Sequence, residues 1–426
     1  MNPRERLEEL KKKSLTLNMT RGQPGHNQRH VIPRDFYPAA LHELGLKIDG
    51  IDITNYPVGS PDLKAIQGLP SLRKILAPMV DLDPDLICVN IHESMKLMAD
   101  YLYRGFVHGV GKDAPPWERG KTKFIVFVPG YDRHFAMLER FGIEMIPVKL
   151  TRQNVSDNSF MDRVEELVAG DPQIVGLLGV FRYSNPTGFT FSDAAIKRMA
   201  EMKTACPHFR VIHDDAYCVH AFRGKRAEQL SIVTASKEAG NPERGVVFSS
   251  LSKIIAAGGT IAFMGANEEY LEFFRSILKI EQITPDKPKQ AEIFYFLNNY
   301  PGGLNGLMQA HAEELRPRFD AVERVLQEEL GESELVKSGK VSWETPDGGY
   351  FVSVDVVPGT SPRVIEICKD AGVAFTAASA TYPKGMDTEK RNIRLAPSLP
   401  EVEEVELATR VFALAVQVAA DESNNS

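Results

Sequence analysis

A chain of 426 residues holds enough material for two or three lobes around a large core. Its formal charge of −7 excludes a general attraction to nucleic acid or to an anionic membrane, while 43% apolar and 25% charged residues are the proportions of an ordinary globular protein. No apolar run reaches the ~20 residues of a spanning helix, and four scattered cysteines without zinc spacing predict reduced core thiols, no metal and a cytoplasmic setting.

Residues 4–14 read as a charged amphipathic helix, in contrast to a signal peptide. Arg21-Gly22-Gln23-Pro24-Gly25 follows, a turn that gathers backbone amides and one arginine but by itself reads equally as a surface loop. An irregular stretch from Asn55 to Pro70 gives way to a helix starting at Ser71. From Leu86 the pattern alternates. Strands are predicted at Leu86–Val89, Phe124–Val128, Met145–Val148, Ile174–Val180, Arg210–His213 and Val246–Phe248, with amphipathic helices between them. This is the pattern of an α/β protein with a mainly parallel sheet covered on both faces, whose ligands bind beyond the C-terminal strand ends.

After about Pro301 the character changes to a long charged helix (306–330), an alternating strand through 348–355, a helix over 361–371, and strands at 373–376 and 392–396. A helix over about 400–420 closes this second, smaller α+β lobe, and the final Asp-Glu-Ser-Asn-Asn-Ser is expected to be disordered. The expected division is an N-terminal arm (1–60), a large domain (61–305) and a small C-terminal domain (306–426).

Every unusual polar cluster lies just after a predicted strand. Pro129-Gly130-Tyr131 offers an aromatic face, and Tyr183-Ser184-Asn185-Pro186-Thr187-Gly188 puts an amide in a tight turn. His213-Asp214-Asp215-Ala216-Tyr217 sets adjacent carboxylates before a phenol. Asn-Pro is also a plain turn former, and the carboxylates could be helix caps or solvated acids. In Ser249-Ser250-Leu251-Ser252-Lys253 a lysine leaves a buried strand among hydroxyls, ahead of small residues. A lysine in that place is costly unless paired, neutralised or covalently bound. Hydroxyls for an anion and room for something flat suit a Schiff-base lysine carrying an aldehyde cofactor with a phosphate handle.

Asn-Pro-x-Gly (185–188), Asp-x-Ala-Tyr (214–217) and Ser-x-x-Lys (250–253), in that order and followed by Arg394, resemble the fold-type I, class I pyridoxal-phosphate aminotransferases. The strings Pro-Gly-Tyr-Asp-Arg-His-Phe (129–135), Tyr-Ser-Asn-Pro-Thr-Gly (183–188), Ile-Thr-Pro-Asp-Lys (283–287) and Arg-Asn-Ile-Arg-Leu-Ala-Pro (391–397) are similar to the unusual bacterial aspartate aminotransferase branch. The resemblance spans roughly residues 17–400. It implies pyridoxal 5'-phosphate as cofactor, with Lys253 as the Schiff-base and proton-shuttling lysine, Asp214 on the pyridine nitrogen, Asn185 and Tyr217 on the ring oxygen and Tyr131 stacked on the ring. Ser250, Ser252 and the helix start Glu93-Ser94 are implied at the phosphate, where helix amides favour an anion. Arg394 would clamp the substrate α-carboxylate, with Asn185 and the Gly22 backbone nearby, and Tyr56 would reach the phosphate of the other subunit in a homodimer with shared sites.

Four departures accompany the resemblance. Glu93 stands where the family carries a small polar residue, and Gln23 replaces a lysine. Val58 to Ile66 is extra sequence, and Ile261 replaces an arginine found in many relatives. The resemblance implies transfer of an amino group between an amino acid, aspartate or glutamate by default, and a 2-oxo acid. Loss of a cation at Gln23 and gain of an anion at Glu93 argue instead that aspartate is a poor substrate. Two alternatives remain open: elimination, replacement or ring closure on a modified amino acid, and a regulator or scaffold that keeps the fold without turnover.

Overall fold

The computed structural model describes residues 41, 47–55, 66–89, 93–256, 259–282 and 284–424. Gly22, Gln23 and Tyr56, to which the sequence reading assigned roles, lie outside the described residues.

In chain order the principal elements are β1 (Lys47–Ile48), β2 (Ile51–Asp52), α1 (Pro70–Leu76), β3 (Ile87–Val89), α2 (Ser94–Val107), β4 (Lys123–Val128), α3 (Asp132–Phe141) and β5 (Glu144–Lys149). They continue with α4 (Phe160–Gly170), β6 (Ile174–Gly179), α5 (Asp193–Glu201), β7 (Arg210–Asp214), α6 (Ile232–Glu238), β8 (Gly245–Ser250) and β9 (Ala262–Ala266). The C-terminal part comprises α7 (Glu268–Glu281), α8 (Lys287–Asn299), α9 (Gly303–Leu330), β10 (Ser342–Trp343), β11 (Val352–Asp355), α10 (Ser361–Asp370), β12 (Asn392–Leu395) and α11 (Val402–Asn424).

The main sheet has seven strands in the order β3-β9-β8-β7-β6-β4-β5, and β9 alone runs antiparallel to its neighbours. Its strands are apolar on both faces, as helices on both sides require. Phe124, Val126, Ile212 and Phe248 pack with Leu97, Met98 and Tyr101 of α2. Ile125, Phe127, Val211 and Val247 point the other way, toward α4, α5 and α6. From β4 the chain moves outward to β5 and then returns to β6 on the other side of β4. That reversal opens a crevice at the strand ends, where ligands of open α/β sheets bind.

A second, antiparallel sheet, β10-β11-β12, packs with α9, α10 and α11 around its own core, which includes Phe319, Val354, Ile393 and Phe412. Three sequence expectations change. β9 was not expected; it pairs along its length with β8 and completes the sheet on the far side of the lysine. Residues 373–376 form no strand: Phe375 packs on the Phe412 ring, 5.5 Å between centroids, while among the described residues β12 pairs only with β11. The expected disordered tail is helical through Asn424, with Glu422 bonded to Arg363 Nε at 2.8 Å.

Candidate active site

Four of the parallel strands end at one edge, and each delivers a polar cluster there. β4 leads through Pro129-Gly130 to Tyr131, the residue that caps the start of α3. β6 leads to Tyr183, which adopts φ +49° and whose hydroxyl accepts the Ala227 N–H at 2.7 Å. Gly348 lies so close to this ring that a Cβ there would stand 2.6 Å from both a Tyr183 ring carbon and the His220 carbonyl oxygen. β7 ends in Asp214, followed by Asp215 and Tyr217; β8 ends in Ser250, followed by Ser252 and Lys253.

Asp214 is 3% exposed, and its Oδ2 lies 2.9 Å from His134 Nε2 of α3. Among the described residues its Oδ1 is buried without a hydrogen-bond partner. Asn185, 1% exposed at the neighbouring strand end, accepts from Arg394 Nη1 through Oδ1 at 3.1 Å, while its Nδ2 is also buried and unpartnered. A native fold rarely leaves such atoms orphaned. One is an acceptor and the other a donor, so a polar, ring-shaped ligand with a donor at one position and an acceptor at another would satisfy both.

Lys253 Nζ lies 5.1 Å from the centroid of the Tyr217 ring. Burial pushes its pKa below the usual lysine value, while the Asp214 carboxylate partly offsets this. Burial also raises the Tyr217 phenol well above the usual tyrosine range, with Asp214 adding to the effect. Tyr131, half-buried, meets the His134 ring edge-on at 5.0 Å and 71°. The Lys253 carbonyl is held twice: Tyr350 Oη donates to it at 3.0 Å and His220 Nε2 faces it at 3.3 Å. Burial lowers His220 to about 4. It is therefore neutral near pH 7, and donation from Nε2 leaves Nδ1 as the bare acceptor, which matches the unpartnered Nδ1.

Arg394 stands on β12 with its side chain 10% exposed and its guanidinium carbon 4.7 Å from the centroid of the Phe351 ring. It donates to Asp132 Oδ1 and Asn185 Oδ1, each at 3.1 Å, and to Thr376 Oγ1 at 3.3 Å. The small sheet thus reaches into the crevice of the large one.

The hydroxyl positions divide. Ser250 is buried, Ser252 half-buried, and Ser94 is the buried first residue of α2. β3 points the same way as β8, so α2 begins at the edge where Lys253 emerges. Glu93 is exposed and its side chain makes no capping bond to α2. Solvent at Glu93 screens its charge, and Gln23, the other position of the charge expectation, lies outside the described residues. Thr260 was not singled out by sequence, yet it is buried beside this edge with an unpartnered Oγ1.

Asp215 is a correction of a different kind. Nothing in sequence supplied it a partner, but its Oδ2 accepts from Arg182 Nη2 at 2.9 Å in the interior. Arg182 also bonds Asp81, which in turn takes two bonds from Arg226. His134, Asp132, Thr376, Tyr350, His220 and Arg182 were likewise unassigned by sequence; only Asp132 and His134, which follow Tyr131 in the 129–135 string, carried a local signal. Lys287, from the 283–287 string, stays out of the crevice. Its Nζ donates to the carbonyls of Asp52 and Asn55, each at 2.5 Å.

The residues fit the pyridoxal phosphate that the sequence resemblance implied. The orphaned Asp214 oxygen matches a protonated pyridine nitrogen, the orphaned Asn185 amide matches a ring oxygen, and a desolvated amine stands beside them.

Comparison with known proteins agrees with this chemistry. Residues 2–426 match the family described as aspartate amino-transferase. An aspartate aminotransferase of Corynebacterium glutamicum is 38% identical over 425 residues, covering 98% of this chain and 93% of its own. The crystal structure of an aspartate transaminase from that organism superposes with TM-score 0.81 at 37% identity, covering 99% of this chain and 95% of the other. At 19% identity, where only the fold is shared, the α-aminoadipate aminotransferase LysN of Thermus thermophilus, solved with N-(5'-phosphopyridoxyl)-L-leucine, gives TM-score 0.67 over 91% of this chain and 90% of that one.

Proposed function

The chain belongs to the aspartate aminotransferase family over residues 2–426, and from that premise we propose that it moves an amino group between an amino acid and a 2-oxo acid with pyridoxal 5'-phosphate as cofactor. The observation that carries this reading is the pair of buried, unpartnered atoms of opposite polarity, Asp214 Oδ1 and Asn185 Nδ2, at neighbouring strand ends beside a desolvated lysine.

Bound pyridoxal phosphate supplies an aldehyde for amines and, with its ring nitrogen protonated, an electron sink for the substrate Cα. Lys253 Nζ would hold that aldehyde and stands as the group to carry the α-proton; its depressed pKa favours the free amine that both roles require. Asp214 Oδ1 would hold the proton on the ring nitrogen, with His134 fixing the carboxylate through its other oxygen. Asn185 Nδ2 and Tyr217 would donate to the ring oxygen, and Tyr131 would cover one ring face. Ser250, Ser252 and the amides at the start of α2, with Ser94, bind the phosphate. Arg394 takes the substrate α-carboxylate as a planar fork.

Aspartate or glutamate with 2-oxoglutarate is the proposed substrate pair, as the names of the 37–38% identical relatives support. The proposed assembly is a homodimer in which Tyr56 reaches the partner's phosphate. The proposed division is an arm (1–60), a large domain (61–305) and a small domain (306–426); the long helix α9, starting at Gly303, supports the second boundary. Four buried free thiols support a reducing, cytoplasmic setting. No helix among the described residues is long and apolar enough to cross a membrane.

The test is spectroscopic. Purified protein should carry a visible chromophore that borohydride fixes to Lys253, and aspartate should bleach that band while a stoichiometric amount of 2-oxo acid appears. Release of ammonia or of an unsaturated product in its place would move the chain to an elimination enzyme.

A further inference from the structure

We propose that Asp132 occupies the carboxylate-binding end of Arg394 and must yield to each incoming substrate, so that it sets the affinity of the site for α-carboxylates. The inference rests on the reading of Arg394 as the substrate clamp. A guanidinium has five N–H groups, and an end-on carboxylate needs one from each terminal nitrogen. Nη1 is already bonded to Asp132 Oδ1 and to Asn185 Oδ1, each at 3.1 Å, which commits both of its hydrogens. Nη2 is bonded to Thr376 Oγ1 at 3.3 Å and keeps one hydrogen. Nε lies on the other edge of the guanidinium and is buried without a partner among the described residues, so a carboxylate arriving from solvent meets the Nη1–Nη2 end first.

A substrate carboxylate therefore has to displace one of the two Nη1 acceptors. Asn185 is 1% exposed, in the turn that follows β6. The Asp132 side chain is 34% exposed on the first turn of α3, with solvent to rotate into. Asp132 gives way. While the site is empty it neutralises a nearly buried cation, which would otherwise be costly; when substrate arrives, one carboxylate replaces another and the net charge at the fork does not change. The exchange makes substrate binding weaker than a bare arginine would allow, equally for amino acids and oxo acids.

Asp132 could instead serve only as an acidic residue at the α3 N-terminus, where it would favour the helix dipole. That role predicts lower stability on neutralisation and unchanged carboxylate binding. The two are separated by titrating propionate and succinate into holoenzyme by calorimetry. Asp132→Asn and Asp132→Ser should each tighten both ligands about fivefold, the worth of a partly exposed ion pair. Unchanged or weaker binding in both variants overturns the inference, even if Arg394→Ala loses carboxylate binding as the clamp reading requires. If Arg394→Ala binds propionate like the unmodified protein, the clamp reading itself has failed and takes the inference with it.

Discussion

Arg182 and Asp215 meet at 2.9 Å with side chains only 2% and 1% exposed, directly beneath the strand end that carries Asp214. The pair continues through Asp81 to Arg226, which also bonds the Cys218 and Met79 carbonyls. Removing one member leaves its partner's charge buried, which costs about 3–5 kcal/mol, whereas replacing both by apolar residues is often neutral. Asp215→Ala should therefore lower stability by at most about that amount, since Arg182 keeps Asp81, and Arg182→Met with Asp215→Leu should recover much of the loss. Urea unfolding of the two variants and the unmodified protein checks this; equal stability of Asp215→Ala and the unmodified protein would show that the pair is not desolvated in solution.

Asp214 and His134 should separate cofactor binding from turnover. Asp214→Ala removes the charge that holds the ring nitrogen protonated, and loss of an electrostatic partner of this kind costs about a hundredfold or more in kcat. The variant should still bind the cofactor. His134→Phe leaves the carboxylate in place but without its orienting partner, for which a loss of about 10- to 100-fold is expected by analogy with outer-shell histidine partners at metal sites. Stopped-flow rates with saturating aspartate rank the two, and the opposite ranking would contradict the assigned roles.

Lys253 carries a pH signature. Its pKa in the folded chain lies below the ordinary value of 10.5, mainly through burial. Between those two values the unfolded chain binds more protons, so stability rises with pH across that window. The unfavourable contribution is fully present below the folded pKa and gone above about 10.4, the value for a free lysine. Cofactor-free Lys253→Met should thus exceed the cofactor-free parent in stability near neutrality. That advantage should shrink as the pH approaches the lysine value. Paired denaturation curves at neutral and alkaline pH measure it; a constant difference would mean that the amine is not desolvated.

The shared-site arrangement can be tested by mixing. Lys253→Ala and Tyr56→Phe proteins, each inactive alone, should regain activity after subunit exchange because some hybrid sites then hold both residues. Confirmed exchange without recovered activity would count against a site built from two subunits.

Much of this architecture was legible in the sequence because parallel strands buried on both faces are continuous apolar runs, as in Phe124-Ile125-Val126-Phe127-Val128. β9 was not, since its run contains Gly265, where a Cβ would lie 2.5 Å from Leu82 and 2.8 Å from Val247. Close packing there requires the residue that weakens the strand pattern. At the site, Lys253, Asp214 and Asn185 were visible as polar residues at strand ends. Their partners were not, because pairing of His134 with Asp214 spans 80 residues and of Asp132 with Arg394 spans 262. Periodicity reports which face a residue occupies and nothing about what folds against it. Residues 373–376 misled for the same reason: their apolar character serves packing against Phe412, with Thr376 turned to Arg394.

The double hold on the Lys253 carbonyl has a consequence for dissection of the chain. One donor, His220, belongs to the same half as the lysine; the other, Tyr350, arrives from the lead-in to β11, beside a backbone bridge between Ala221 and Gly348. A fragment ending near residue 305 would retain Lys253, Asp214, Asn185 and Tyr131 but would lose Tyr350 and Arg394 together. Such a piece would expose Tyr217 and Phe222 to water, since these rings pack on Tyr350, Phe351 and Phe319. The crevice therefore draws on residues from both sides of that cut, and neither piece alone is expected to hold it in working order.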